Sequence, residues 1–91
     1  MKIDLENVGK RLEDLRVALD LPKGEFARSF GEDPSSYSKI IKGQKPLLAE
    51  KAFTISEIWG VTMDYIYRGR LVGLPDELGK KLRSAANNQQ R

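Results

Sequence analysis

The stretch GEFARSFGEDPSSYSKIIKGQKP, residues 24–46, contains two short helical patterns separated by a turn. In the first, apolar side chains recur at i, i+1 and i+4, and Gly31 ends the pattern because glycine adopts a positive φ without steric cost. The pair Asp33-Pro34 then starts a second helix, since Asp is a favoured N-cap and Pro is tolerated at the first helical position. The stretch therefore predicts two helices joined by a tight turn, at about residues 23–30 and 34–42.

The second predicted helix has two unlike faces when its residues are spaced at about 100° each. One face is apolar and should anchor the helix to the core: Tyr37, Ile40 and Ile41. The other face is hydroxylic and cationic: Ser35, Ser38, Lys39 and Lys42. Small hydroxyls can reach base edges while lysines meet phosphates or guanine acceptors, so this face suits a groove of duplex DNA. The alternative is a solvent-exposed face that has no partner.

The rest of the chain is also helical in pattern, and we expect an all-α fold. Before the quoted stretch, one apolar stripe contains Val8, Leu12, Leu15 and Leu19. After it, a fourth helix carries a second stripe: Leu48, Ala52, Ile55 and Trp59. Thr62 is the expected cap of a short fifth helix. Four aromatic residues at helical spacing are expected in the core: Phe26, Phe30, Phe53 and Trp59.

From Arg68 onward the composition is different, with three glycines and a polar end. We expect an extension over residues 70–91 that follows a domain over residues 1–69. Its leucines favour a sixth helix, which Gly79 would interrupt. Six apolar residues at or beyond the fifth helix are candidates for a two-fold dimer interface: Tyr67, Leu71, Val72, Leu74, Leu78 and Leu82. The alternative is that they pack the tail onto the first or fifth helix.

Composition narrows the classes of function. The chain has 91 residues, no Cys, no His and a net charge of +3, and its positive charge collects in residues 21–46 and in the tail. Without Cys and His, the commonest zinc ligands and the commonest general base are missing, so we expect no enzyme, no metal and no cofactor. No apolar run approaches the roughly 18 residues of a membrane span, and we expect a cytoplasmic protein.

An ordered series of short motifs marks a family resemblance. The motifs are Phe26-Ala27, Phe30-Gly31, Ser38-Lys39-Ile40, Lys42-Gly43 and Trp59-Gly60-Val61-Thr62-Met63-Asp64. With them, residues from about 8 to 67 resemble the Cro/C1-type (Xre-like) helix-turn-helix domain of phage repressors and small bacterial regulators. The resemblance implies a compact, five-helix, lambda-repressor-like domain with a short C-terminal extension. It also implies that the helix beginning near Asp33 lies in the major groove.

Site residues follow from the resemblance, position by position. The residues implied to read bases are Pro34, Ser35, Ser36, Ser38 and Lys39. Those implied to contact phosphates are Lys23, Lys42, Gln44 and Lys45. Three positions depart from the family pattern, since Glu32 replaces an apolar turn residue, Pro22 replaces a Ser/Thr cap and Gly24 stands in the first motif helix. These departures are expected to shift the docking or weaken affinity.

The sequence therefore predicts a double-stranded DNA-binding transcriptional regulator, a repressor that binds a palindromic operator as a homodimer. One short recognition helix reads only a few base pairs, so two copies are expected for useful specificity. The alternative function is a protein-interaction module, either the antitoxin of a toxin–antitoxin pair or an adaptor, which uses the same fold and its apolar tail to bind another protein.

Overall fold

The computed structural model describes residues 2–89, and within that range every regular element is an α-helix. The helices are α1 (Leu5–Ala18), α2 (Lys23–Ser29), α3 (Pro34–Ile41), α4 (Ala49–Trp59), α5 (Met63–Arg68) and α6 (Asp76–Gln89). The predicted all-α fold is confirmed, and the sixth helix runs through Gly79 without a break. No helix within residues 2–89 is long and apolar enough to cross a membrane.

Side-chain caps begin three of the helices. The N-cap contacts are from Asn7 N to Asp4 Oδ1 at 3.1 Å, from Ser35 N to Asp33 Oδ1 at 2.9 Å and from Tyr65 N to Thr62 Oγ1 at 2.9 Å. Each cap satisfies a backbone N–H group that has no partner inside the first turn. The expected roles of Asp33 and Thr62 are confirmed by these contacts.

Helix α1 is the centre of the packing, because it contacts α3, α5 and α6. Its inward residues Val8, Leu12 and Leu15 are each at most 1 % exposed. They belong to one apolar cluster to which all six helices contribute, including Phe26, Tyr37, Ile40, Ile55, Ile66 and Leu82. The orientation of α3 is therefore set mainly by what it buries against α1 and α2.

Helix α3 ends directly against the backbone of α1, and glycine makes this approach feasible. A Cβ atom at Gly9 would lie 2.5 Å from the carbonyl oxygen of Ile41, well inside van der Waals contact. At Gly43, where φ is +76°, a Cβ atom would lie 2.7 Å from Cγ of Glu6. Both glycines thus allow the C-terminal end of α3 to contact α1 with no side chain between the two.

The aromatic prediction is correct for three residues and wrong for Phe53. Phe26 and Phe30 are buried and Trp59 is packed against the core, but Phe53 is 56 % exposed. In α4, Ala52 and Ile55 point inward, and Phe53 lies about 100° around the helix from Ala52 and so faces away from the core. Leu48, also expected on the inward stripe, is 59 % exposed because it is the N-cap that precedes the helix.

The C-terminal residues pack largely against the rest of the chain. Leu82 is 1 % exposed in the shared core, and Tyr67, Leu71, Leu74 and Leu78 are partly buried against it. The Tyr67 hydroxyl donates to the carbonyl oxygen of Leu47 at 2.8 Å. Val72 is the opposite case, since 86 % of it is exposed. Packing onto the rest of the chain, the alternative for this tail, accounts for these leucines, and Leu82 has no surface left for a second subunit.

Candidate nucleic-acid interface

Helices α2 and α3 are joined by a three-residue turn after the α2 C-cap, Phe30. Gly31 in this turn has φ of +79°, a conformation that a side chain would strain. The N–H of Glu32 returns to the carbonyl of Ala27 at 3.0 Å, and Nζ of Lys51 donates to the carbonyl oxygen of Gly31 at 2.8 Å. These contacts satisfy the carbonyls of Ala27 in α2 and of Gly31 in the turn, and they fix the direction in which α3 begins.

Tyr37 anchors α3 to the rest of the domain. Its side chain is fully buried, and its ring meets Phe26 at 5.7 Å and Phe30 at 6.2 Å between centroids, both in edge-on geometry. Such aromatic pairs stabilise beyond the area that they bury. Tyr37 also donates from its hydroxyl to Oε2 of Glu13 in α1, at 2.7 Å. The polar face of α3 is therefore carried on a rigidly held helix.

Glu13 collects three polar partners at the junction of α1, α2 and α3. Arg16 donates to it through Nε at 2.9 Å and Nη2 at 3.0 Å, and Nζ of Lys23 lies 4.0 Å away. Burial tends to raise the pKa of Glu13, but the hydrogen bonds from Arg16 and Tyr37 and the nearby positive charges outweigh it and hold the pKa below its usual value. The carboxylate thus stays charged at neutral pH, and its hydrogen bond with Tyr37 holds α3 against α1.

Asp33 supports the first turn of α3. Its Oδ1 accepts the hydroxyl of Ser35 at 2.7 Å and the backbone N–H groups of Ser35 and Ser36 at 2.9 and 3.0 Å. These hydrogen bonds, that of the Ser35 side chain first among them, lower the pKa of Asp33 to about 2. The carboxylate is therefore ionised at neutral pH, next to the positive end of the helix dipole.

The residues expected to read bases share one side of α3. Ser35 and Lys39 are exposed near the middle of the side opposite to Tyr37 and Ile40, and Pro34 is exposed at its start. Ser36 and Ser38 are half-buried at the two edges of this face. Within residues 2–89, neither Lys39 nor Lys42 forms an ion pair, so both ammonium groups are available to an anionic ligand.

The residues expected to contact phosphates surround this face but differ in their surroundings. Lys42 is the exposed C-cap of α3, and Gln44 is exposed in the loop that follows. Lys23 opens α2 and faces the Glu13 carboxylate. Lys45 is the most constrained of the four, because its Nζ donates to Ser36 Oγ at 3.0 Å and lies 3.8 Å from Oε1 of Glu32.

Two polar clusters in the structure were not predicted from the sequence. The first cluster contains Glu13 and Arg16, whose i, i+3 spacing indicates an ion pair on a helix. Its third member, Tyr37, bonds to Glu13 from 24 positions further along the chain, which the spacing does not indicate. The second cluster explains one departure from the family pattern. Glu32 stands in a turn position expected to be apolar, and its side chain is only 12 % exposed, with the ammonium of Lys45 beside it. No signal in the local sequence pairs Glu32 with Lys45.

Comparison with known proteins agrees with this geometry. A family model described as helix-turn-helix matches residues 12–66, which is more than half of the chain. The match begins in α1, includes α2, the turn and α3, and ends in α5. No curated protein and no solved structure gives a significant match to the chain. The two motif helices, the buried anchor of α3 and the family match lead to one assignment: the chain belongs to the Cro/C1-type helix-turn-helix family, whose members are DNA-binding regulators.

Proposed function

We propose that the protein is a sequence-specific transcriptional repressor that binds a palindromic operator as a homodimer. The observation that carries this proposal is the exposed face of α3, where Ser35 and Lys39 stand opposite the buried Tyr37. A helix with this division can enter the major groove with its polar side toward the bases while its apolar side stays in the core. Repression requires no chemistry from the protein, since occupying a promoter is sufficient.

In this proposal the residues that contact DNA form two groups, one on α3 that reads bases and one around it that binds phosphates. The side chains directed at base edges are those of Pro34, Ser35, Ser36, Ser38 and Lys39. Lys23, Lys42 and Gln44 are placed at the edges of the interface and bind phosphates, which position the helix and supply affinity that depends on salt. Glu32 does not oppose this binding strongly, because its carboxylate is largely covered and faces Lys45.

The size of the domain supports a side-by-side dimer. Recognition helices of a symmetric pair enter successive major grooves about 34 Å apart, one turn of the duplex. The Cα atoms of one protomer extend over 29 × 28 × 23 Å, so two copies fit next to each other on one side of the DNA and meet near the two-fold axis. The tail leucines pack within the protomer, which leaves exposed apolar residues such as Val72 in the tail and Leu48 before α4 as candidates for the contact.

A second function, protein interaction of the antitoxin or adaptor type, is favoured by one observation on α4. Phe53 is 56 % and Ile58 is 48 % exposed, although large apolar side chains of this kind are costly to leave in water. A protein partner that covers them would account for their exposure. This function is compatible with DNA binding, and the two are separated by measuring whether Phe53→Ser changes DNA affinity.

Selection of bound duplexes from a random DNA pool, at about 150 mM salt, tests the proposed function directly. We expect an inverted repeat with half-sites about one helical turn apart. Ser35→Ala and Lys39→Ala should each lose the base preference at one position of the half-site, whereas Lys10→Ala, an exposed lysine of α1 outside the proposed interface, should keep the preference at every position. Failure of the folded protein to enrich any sequence would contradict sequence-specific recognition.

A further inference from the structure

The first two serines of α3 have neighbouring positions but opposite hydrogen-bond partners. The hydroxyl of Ser35 lies 2.7 Å from Oδ1 of Asp33. A carboxylate at neutral pH has lone pairs and no hydrogen, so in this contact Ser35 is the donor. Its hydroxyl hydrogen is thereby used within the protein. Only the lone pairs of Ser35 Oγ remain for a ligand on the exposed side of α3.

Ser36 has the reverse arrangement. Nζ of Lys45 lies 3.0 Å from Ser36 Oγ, and an ammonium group can only donate, so Ser36 is the acceptor in this contact. This contact does not use the O–H hydrogen of Ser36. Lys45 is held in place by its second partner, Oε1 of Glu32, at 3.8 Å. The turn before α3 and the loop after it thus meet at the first turn of the helix.

Base edges in the major groove distinguish donors from acceptors. The amino groups of adenine N6 and cytosine N4 are donors, whereas purine N7, guanine O6 and thymine O4 are acceptors. A free serine hydroxyl rotates and pairs with either kind, which makes it a weak discriminator. A hydroxyl whose hydrogen is already committed can pair only with a donor. One whose oxygen already accepts from an ammonium group pairs preferentially with an acceptor.

We propose that Asp33 and Lys45 fix opposite hydrogen-bond polarities on two adjacent serines, so that Ser35 recognises an amino group on a base edge and Ser36 recognises an acceptor atom. The inference rests on the proposed function, since it requires α3 to lie in the major groove. Ser35 and Ser36 are then specificity-determining residues with different targets. Lys45, which the family resemblance assigns to phosphate, becomes a positioning residue for Ser36.

The experiment uses the full chain and a duplex obtained by selection. Ser35→Ala and Ser36→Ala each identify the base pair whose preference they abolish. At the Ser35 pair, an analogue that lacks the exocyclic amino group should weaken wild-type binding about fivefold, the effect of one hydrogen bond, and leave Ser35→Ala unaffected. At the Ser36 pair, an analogue that lacks the acceptor, such as a 7-deazapurine for N7, should weaken the wild type about as much and leave Ser36→Ala unaffected.

Lys45 is tested by its salt dependence as well as by base preference. Lys45→Met should reduce discrimination at the Ser36 pair alone, while the slope of log affinity against log salt stays at the wild-type value. The matched variant Lys42→Met should lower that slope by about 0.9, the value for one lost phosphate contact, with no change in base preference. A lysine that served only folding would alter neither the slope nor the preference at a single pair.

Several results would overturn the inference. Sensitivity to acceptor removal at the Ser35 pair, or to amino-group removal at the Ser36 pair, would reverse the assigned polarities. A uniform loss of affinity of Ser36→Ala for all duplexes would assign Ser36 to phosphate, and a lower salt slope in Lys45→Met would do the same for Lys45. Wild-type protein that selects no sequence would contradict the proposed function itself, a result distinct from all of these.

Discussion

The hydroxyl of Tyr37 donates to Oε2 of Glu13 across 2.7 Å and joins α3 to the central helix α1. Arg16 donates two further hydrogen bonds to the same carboxylate. The polar face of α3 is thus carried by a helix whose opposite face is fixed by a buried ring and by a charged hydrogen bond. Because α3 is anchored in this way, the fold alone sets the side of the domain on which Ser35 and Lys39 are exposed.

Removal of this hydrogen bond should destabilise the domain. Tyr37→Phe keeps the ring packing and deletes the donor, and we expect a loss of about 1–2 kcal/mol in the free energy of unfolding, since the acceptor is charged. Urea unfolding measures it. Tyr65→Phe is the matched control, because the Tyr65 hydroxyl is 3.4 Å from the carbonyl oxygen of Arg11 and should contribute less. Equal losses in the two variants would contradict the special role of Glu13.

Glu13 should also make stability depend on pH. Its pKa in the folded protein lies below the ordinary value of 4.5, so the unfolded chain binds the proton more tightly. The stabilisation is therefore fully present above that value and is lost as the pH falls through the folded pKa. Free energies of unfolding measured between about pH 3 and pH 7 should show a shallower acid decline for Glu13→Gln than for the wild type. Parallel curves would contradict the assigned shift.

Two glycine substitutions, one at the contact between α1 and the end of α3 and one in α2, should have opposite effects on stability. Gly9→Ala places a methyl group against the backbone of Ile41, and we expect a loss of about 1–3 kcal/mol from this overpacking. At Gly24→Ala the three atoms nearest to the new methyl group all belong to the movable guanidinium of Arg28, the first at 3.2 Å, and this variant should gain up to about 1 kcal/mol from better helix propensity. Thermal or urea unfolding of the pair is the measurement, and a Gly9→Ala variant as stable as the wild type would contradict the close approach.

Phe53 should behave as a surface residue. Phe53→Ser is expected to change the free energy of unfolding by no more than about 0.5 kcal/mol, whereas Phe26→Ala in the core should lose about 3–5 kcal/mol. Urea unfolding distinguishes them. A large loss of stability in monomeric Phe53→Ser would contradict its exposed position.

The sequence was sufficient for those features that depend on local chemistry. Asp33-Pro34 and Thr62 predicted helix starts correctly because capping depends on a few consecutive residues, and the helical spacing around Tyr37 predicted which side of α3 is buried. Packing between residues that are distant in the chain was harder to predict. Phe53 was wrongly placed in the core because several faces of α4 carry apolar residues, and only packing against the other helices decides between them.

Polar contacts between distant residues were not predictable from the sequence. Glu32 in a turn position was expected to shift the docking or weaken DNA affinity, but the fold brings Lys45 beside it from the loop after α3. The same loop folds back to Ser36, so the chemical character of that serine depends on a residue nine positions away. Such contacts need the path of the chain, which residue spacing does not contain.

The central claim is that the exposed face of α3 reads base sequence, and Lys39 tests it most directly. The measurement is the affinity of wild-type and Lys39→Met protein for the selected duplex and for every single-base-pair variant of it, at one salt concentration. We expect the wild type to lose affinity at several positions in each half-site, and Lys39→Met to lose discrimination at one of them while it keeps the others. A Lys39→Met profile that matches the wild type at every position would contradict the assignment of this face.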